Sequence, residues 1–572
     1  MDAHKQQITQ IVTSMSYADV PFFQRAYVWQ DDLWERFLQD MRYLVKTNKP
    51  HFFGSIILKN TDKTSEDFIP IYTIVDGQQR LTTFLVFYKV LCLKLGQVLF
   101  DTLFRIASNH NIAVRHGRND FDAFNLVVNT TKAECIANPK DSKVIAAFNY
   151  FMENIKADEF TSNDLNKILS LSEFVKITLT KDEDEQEIFD TINSLGVSLT
   201  TAELLKNYFF SRDTIKDYEE KWESVFEADD DSKKYWEQEI EAGKQKRAMI
   251  DIFFDAYFQL FIQDSKTYKI STDDKVEYSR LDSLAKSYQH FIANYCGGDK
   301  NVILSPLKDY ATKFRETFEP SICEGSLTKE YGTERLNVII FGLKTTTLIP
   351  YVLYCAKNCD TAELKKICKI LECFIMRRMV TKETTKNYNR LFITLIANHV
   401  LTADDLLSKL NDADSNVFIP DDKQLCIVFN ETRLYNLSAQ GILYLIESYN
   451  RPKNEATQLL GFNGYSLEHL MPKKWRNKWE PCASEELSRE RDLKLQTLGN
   501  LAIITQPLNS SIRDSDWKTK KNGRSESKPG LITCASGLYT MRDALQVDDW
   551  NEKSITDRAD FLYKSAIAVW NI

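Results

Sequence analysis

The apolar positions read as strand near the N-terminus and as helix over most of the remaining chain. Residues 52–58 (FFGSIIL) and 68–75 (FIPIYTIV) are rich in β-branched and aromatic side chains and flank a polar stretch, NTDKTSED, which predicts a hairpin of two strands. Asp76-Gly77 ends the second strand with turn chemistry, and from Gln78 (QQRLTTFLVFYKVLCLKLGQ) the spacing turns helical. Helices are also expected from about Asp31 and over 201–210, the latter capped by Thr200 or Thr201, with Gly196 closing the helix before it. From Lys233 to about Asn430 the period is helical almost throughout, including 247–262, 279–295 and 364–379, which predicts an all-α section. Segments 436–449 and 555–570 read as further helices. The most apolar stretch, 338–356, contains Lys344 and Pro350 and reads as core helix rather than a membrane span.

These elements predict an α+β multidomain protein that is predominantly helical. At 572 residues the chain is too long for one core, and about 150 residues per domain gives three or four units. The acidic run at 227–232 is the best linker, which sets the expected divisions at 1–230 (α/β), 231–430 (an all-α connector) and 431–572. The net charge of −8 counts against nucleic acid as a partner. Local charge reverses that: residues 466–528 hold 13 Lys plus Arg against 9 Asp plus Glu. Lys473, Lys474, Arg476, Arg513, Lys518, Lys520 and Lys521 are candidate DNA contacts, and for any one of them a solvated helix face is an equal alternative. Arg377 and Arg378, with Lys382 and Lys386, form a weaker basic candidate for which solvated surface is the commoner explanation. Eleven cysteines without a CxxC pair, and a start (MDAHKQQITQ) with no apolar signal region, fit a cytoplasmic protein without a disulfide framework or structural zinc.

The chemistry concentrates near the C-terminus. Leu467-Glu468-His469-Leu470-Met471-Pro472 is followed by Leu498-Gly499-Asn500-Leu501 and then by Asn509. This order resembles an HNH, or ββα-metal, nuclease site. Hydrolysis of a phosphodiester needs a deprotonated water, a cation at the departing oxygen and rigid placement of both. His469 supplies an imidazole whose ordinary pKa, about 6.5, suits a general base near neutrality. Glu468 and Asn509 offer oxygen ligands suited to Mg2+ or Mn2+, and Asn500 is expected to hold the His-bearing loop by hydrogen bonds.

A second cluster lies where the predicted hairpin meets its helix: Asp76, Gly77, Gln78, Gln79 and Arg80. Upstream, Gln24 and Arg25 stand in VPFFQRAYVW, beside another helix entry. Two arginines and several amides at a helix N-terminus suit a triphosphate. An amphipathic helix start whose arginine pairs with a nearby carboxylate explains the same residues. There is no GxxxxGK[ST] loop. The phrase FDTINSLGVSLT (189–200) reads first as a plain helix-turn-helix joint.

Taken in order, VPFFQRAYVW, IVDGQQRLTT, FDTINSLGVSLTTAELLKN, LEHLMP and LGNLAII resemble the GmrSD-type modification-dependent restriction endonucleases of bacterial anti-phage defence, across nearly the whole chain. The resemblance implies a ParB/sulfiredoxin-like N-terminal domain that binds and hydrolyses a nucleoside triphosphate of unspecified identity through Gln24, Arg25, Asp76, Gly77, Gln78, Gln79 and Arg80. It further implies a C-terminal HNH domain carrying Glu468, His469, Asn500 and Asn509, with Asn509 where a histidine is the alternative. DNA bearing modified bases or backbone is the implied substrate. A homodimer is the arrangement by which a single-site nuclease cuts both strands. The rival readings are a non-catalytic nucleotide- or DNA-binding regulator and an NTPase with a degenerate nuclease domain.

Overall fold

In the computed structural model, residues 2–21, 26–180, 183, 200–210, 214–243, 245–278, 283–411, 417–434, 436–452 and 458–572 are described. They form two compact units, Met1–Glu220 and Lys221–Ile572.

The first unit is built on a mixed six-stranded sheet of β1 (Asp2–Gln7), β2 (Tyr17–Asp19), β3 (His51–Thr64), β4 (Pro70–Asp76), β5 (Val114–Arg115) and β6 (Ser172–Leu179), in the order β1-β6-β3-β4-β2-β5. β3 and β4 form the expected antiparallel hairpin, while β3 runs parallel to β6 and β2 parallel to both β4 and β5. The polar stretch after Leu58 continues β3 as far as Thr64, because an irregular register between Asn60 and Lys63 lets the strand bend without leaving its partner. The helix Gln78–Lys94 lies at the centre of this unit, with every residue from Leu81 to Cys92 buried. A helix apolar on all sides has to be covered on all sides, and Phe84 and Phe87 contact rings from two neighbouring helices, with Phe37–Phe87 and Phe87–Phe151 centroids 5.5 and 5.4 Å apart. The helix Asp31–Thr47 begins at the expected residue, with Asp31 and Asp32 at its positive end, and closes on Asn48 at φ 54°.

The second unit is mostly helical, but 231–430 is not all-α: β7 (Glu239–Ala242) and β8 (Gln245–Ala248) form an antiparallel hairpin ahead of the helix Met249–Gln263. The expected linker is also a helix start. The Asp229 side chain accepts a hydrogen bond from the Ser232 amide and caps the helix Asp230–Glu237, and acidic residues suit a helix N-terminus as well as they suit a solvated linker. The apolar stretch 338–356 breaks into a π-helical turn (Val338–Gly342), a short 3-10 turn and the helix Ile349–Asn358, which Pro350 opens.

Residues on both sides of 430 share one interior. Arg335 makes a two-pronged ion pair with Glu372 at 2.6 and 2.8 Å, both side chains essentially inaccessible, and the Trp570 indole donates to the same carboxylate at 3.2 Å. Arg377 and Arg378 are buried as well. They donate to the carbonyls of Trp570 and Pro420, and of Phe418 and Thr384, so neither belongs to a DNA-facing surface. Among the described residues, no helix is long and apolar enough to cross a membrane.

Candidate active site

In the first unit, Gly77 caps the helix Gln78–Lys94 at φ 95°, and a Cβ there would meet Ser55 O and Ile56 Cγ1 at 3.0 Å, so both backbone and space demand glycine. Among the described residues no side chain bonds to Gly77 as a cap of this helix end. Arg80 turns back onto Asp76, with Nη2 to Oδ2 at 2.6 Å, and runs past Gly54, where a Cβ would come within 2.7 Å of the guanidinium. Gln79 accepts from the Val28 amide at 3.0 Å and donates to Ala26 O at 3.3 Å, which ties the end of the VPFFQRAYVW motif to the DGQQR helix. Tyr27 completes that junction through Thr83 (2.6 Å), the Trp34 indole (2.8 Å) and, by its amide, Asp120 (2.6 Å). Gln24 and Arg25 lie outside the described residues, as does most of 189–200. His116, buried against Phe124 and 3.0 Å from Thr82 Oγ1, and Asp120, whose carboxyl burial raises above the usual range, belong to this neighbourhood. Neither has a local sequence signal, since each arrives from a segment about 40 residues away.

In the second unit β9 (Ser466–His469) pairs antiparallel with β10 (Leu501–Ile504), His469 opposite Leu501, and the helix Gln506–Ile512 follows. Asn500 is fully buried. Its oxygen accepts from the Met471 amide (2.8 Å) and the Trp550 indole (3.0 Å), and its nitrogen donates to Met471 O (2.8 Å) and Leu495 O (3.0 Å). With its whole hydrogen-bonding capacity spent, Asn500 holds the turn after His469 and touches no substrate. Gly499 precedes it because the helix Glu552–Val569 passes so close that a Cβ would meet Ile555 O at 2.1 Å. Arg558 of that helix donates to the carbonyls of Leu498, Gly499 and Leu501 at 3.2, 2.8 and 2.7 Å, and burial brings its guanidinium down to about 9.

Asn509, on the helix Gln506–Ile512, donates to Ser466 Oγ (3.0 Å) and Leu467 O (3.2 Å), which commits its nitrogen and leaves its oxygen as the group able to ligate a cation. Strand alternation sets Ser466 and Glu468 on one face of β9. Glu468 is buried and ion-paired with Lys520, itself wholly inaccessible, and the same ammonium donates to His469 O at 2.7 Å. Burial pushes the Glu468 carboxyl up and the Lys520 ammonium down, each opposed by its partner. Burial, then the nearby Lys473 and Lys520, push His469 down to about 4, so its imidazole is neutral near pH 7. Among the described residues no group of three His, Cys, Asp or Glu is arranged to hold a metal. Glu468 and Asn509 carry oxygen donors of the kind a hard divalent ion takes, with the Glu468 carboxylate paired to Lys520.

The basic candidates divide. Lys473, Lys474, Arg513 and Lys518 are exposed. Lys520 is not a DNA contact, because it neutralises Glu468. Lys521 donates to Val547 O at 2.9 Å and is only 14 % exposed, so it too is structural. Arg476 is held by Asp492 at 2.7 Å over the Trp475 ring. Lysine at helix spacing does not by itself reveal which side faces inward, and Lys520 and Lys521 follow Trp517, which anchors that short helix to the interior.

A family model described as the GmrSD restriction endonuclease N-terminal domain matches residues 8–210, and one described as the GmrSD restriction endonucleases C-terminal domain matches 419–565, together well over half of the chain. No curated protein matches.

Proposed function

The chain belongs to the GmrSD restriction endonuclease family, and from that premise we propose that residues 466–512 are a divalent-metal HNH site that cuts modified foreign DNA under the control of a nucleotide bound at Asp76–Arg80. The observation that carries this reading is the joining of three elements: Asn500 clamps the turn after His469, while Asn509 tethers its helix to β9 beside Glu468. In this mechanism His469, neutral at physiological pH, takes the proton of the attacking water at one ring nitrogen. Glu468 and Asn509 would hold the cation, which would supply positive charge to offset the negative charge developing in phosphodiester hydrolysis. Lys473, Lys474, Arg513 and Lys518 face solvent and bind flanking phosphates. Asn500 and Arg558 keep the His469 turn from moving. Cutting both strands through one such site per chain calls for two protomers.

In the first unit, the positive end of the helix Gln78–Lys94 attracts phosphate, and Arg80 leaves Asp76 to pair with it. A second reading, a non-catalytic regulator, is favoured by Lys520 standing on Glu468 as a built-in counter-charge. Plasmid nicking with Mg2+ or Mn2+ separates the two. The nuclease reading expects nicks from wild type and none from His469→Ala, and equal activity in both removes it. Nucleotide control expects phosphate release by wild type that Arg80→Ala abolishes, together with an altered nicking rate. Unchanged nicking in Arg80→Ala refutes the coupling.

A further inference from the structure

A groove in the second unit, lined by residues that belong to neither the Asp76 nor the His469 cluster, has the makings of a nucleic-acid site. It has a volume of about 830 Å³ and is lined by four lysines, Lys329, Lys365, Lys366 and Lys369, and one carboxylate, Glu330, around the rings of Tyr331 and Tyr449. The rings lie side by side, centroids 5.5 Å apart and tilted by 43°. Beneath them the buried Arg335 guanidinium sits 5.6 Å from Tyr331 and 5.8 Å from Tyr449. Its ion pair with Glu372 and its hydrogen bonds to Ser448 Oγ (2.9 Å) and Leu445 O (3.2 Å) fix it there. The Lys329 ammonium stands 5.1 Å from the Tyr449 ring centre, and that of Lys369 5.6 Å from the Tyr331 ring centre. Lys365 is paired with Glu330 and Lys366 with Glu363. Among the described residues Lys329 and Lys369 have no carboxylate at ion-pair distance, in a chain whose net charge is −8.

We propose that this groove binds a phosphate-bearing nucleobase, with the base stacked on Tyr449 as the flexible Lys329 side chain swings off that ring, and the phosphate held between Lys329 and Lys369. Two half-exposed rings on a rigid base give a stacking platform, and two cations at its edge suit a phosphodiester. Of the two sources of that chemistry, an unpaired stretch of DNA and a free nucleotide, the DNA strand is the one that also reaches Lys365 and Lys366. An acidic peptide would leave the ring faces unused. The proposal stands independently of the metal site at Glu468.

The test is fluorescence anisotropy of a labelled oligothymidylate with the full chain, at several salt concentrations and without divalent metal. Lys329→Ala/Lys369→Ala is expected to weaken binding and to flatten the salt dependence by about 1.4 in the log–log slope, for two phosphates on a single strand. Tyr449→Ala is expected to weaken binding roughly 5- to 150-fold, and Tyr449→Phe to retain it. Because Tyr449→Ala uncovers Arg335, the lysine pair and Tyr449→Phe keep the test independent of folding. Displacement of the strand by micromolar nucleoside triphosphate assigns the groove to a mononucleotide, and its absence assigns it to DNA. Wild-type binding in the lysine pair overturns the proposal. So does binding of oligoglutamate as tight as that of the oligonucleotide, or a well-folded Tyr449→Ala that binds normally.

Discussion

Lys520→Met tests whether the buried Glu468–Lys520 pair organises the site, because methionine keeps the unbranched apolar stem and removes the ammonium with its charge and donors. Lys520 is wholly inaccessible and Glu468 is 8 % exposed, so the carboxylate left behind cannot turn to water. Breaking one side of such a pair costs about 3–5 kcal/mol, and the lost bond to His469 O is part of that sum. Glu468→Gln leaves the ammonium stranded and is expected to cost a similar amount. The double variant leaves neither charge unpaired, so it should recover most of the loss, giving a coupling of at least about 2 kcal/mol. Urea unfolding of the four proteins at pH 7, followed by tryptophan fluorescence of the transition belonging to Lys221–Ile572, measures this. Additive effects, or single variants within about 0.5 kcal/mol of wild type, would refute the reasoning and return Lys520 to the set of surface cations.

Three further outcomes rest on the same geometry. In the metal-free protein the His469 ring should titrate near 4 by NMR, its resonance assigned by loss in His469→Ala. Because its folded value lies below the unfolded one of 6.5, its contribution to stability is complete above about pH 6.5 and is lost as pH falls towards 4, and a midpoint near 6.5 contradicts the burial argument. Lys473→Ala/Lys474→Ala should reduce the salt slope of duplex binding by about 1.8, whereas Lys521→Ala, tethered to Val547 O, should leave it alone; the reverse pattern would show the exposed and structural sets to be misassigned. Gln79→Ala removes both bonds to the 26–28 segment, and a loss of about 1–2 kcal/mol in the melting of the first unit, with weaker nucleotide binding, is expected. Unchanged melting would mean that Tyr27 alone holds the junction.

What the sequence announces is local, and what it hides is long-range. The Asp76-Gly77 turn, the helix from Gln78, the start at Asp31 and the Thr200 cap are all decided by residues within a turn of one another, and each stands where its side chains predict. The clamp on the His469 turn is legible only through Asn500. Trp550 and Arg558, which hold the other side of the same turn, come from 50 to 60 residues later with no spacing to link them. The β7–β8 hairpin leaves no pattern in the sequence because strands of four residues are too short to impose a period of two on their helical surroundings. The acidic run at 227–232 misleads for a different reason: the same carboxylates that solvate a linker also stabilise a helix N-terminus. Lysines 520 and 521 show the limit of counting charge, since only packing decides which cation is spent inside.

The most direct measurement is the nicking rate of His469→Ala with Mg2+, without and with added imidazole. If His469 is the base, the variant loses about 10²- to 10⁴-fold in rate and free imidazole restores part of that loss in proportion to its neutral fraction. A folded His469→Ala that nicks at the wild-type rate contradicts the account, and so does a loss of activity that imidazole leaves untouched while Asn500→Ala, with its turn unclamped, cuts normally.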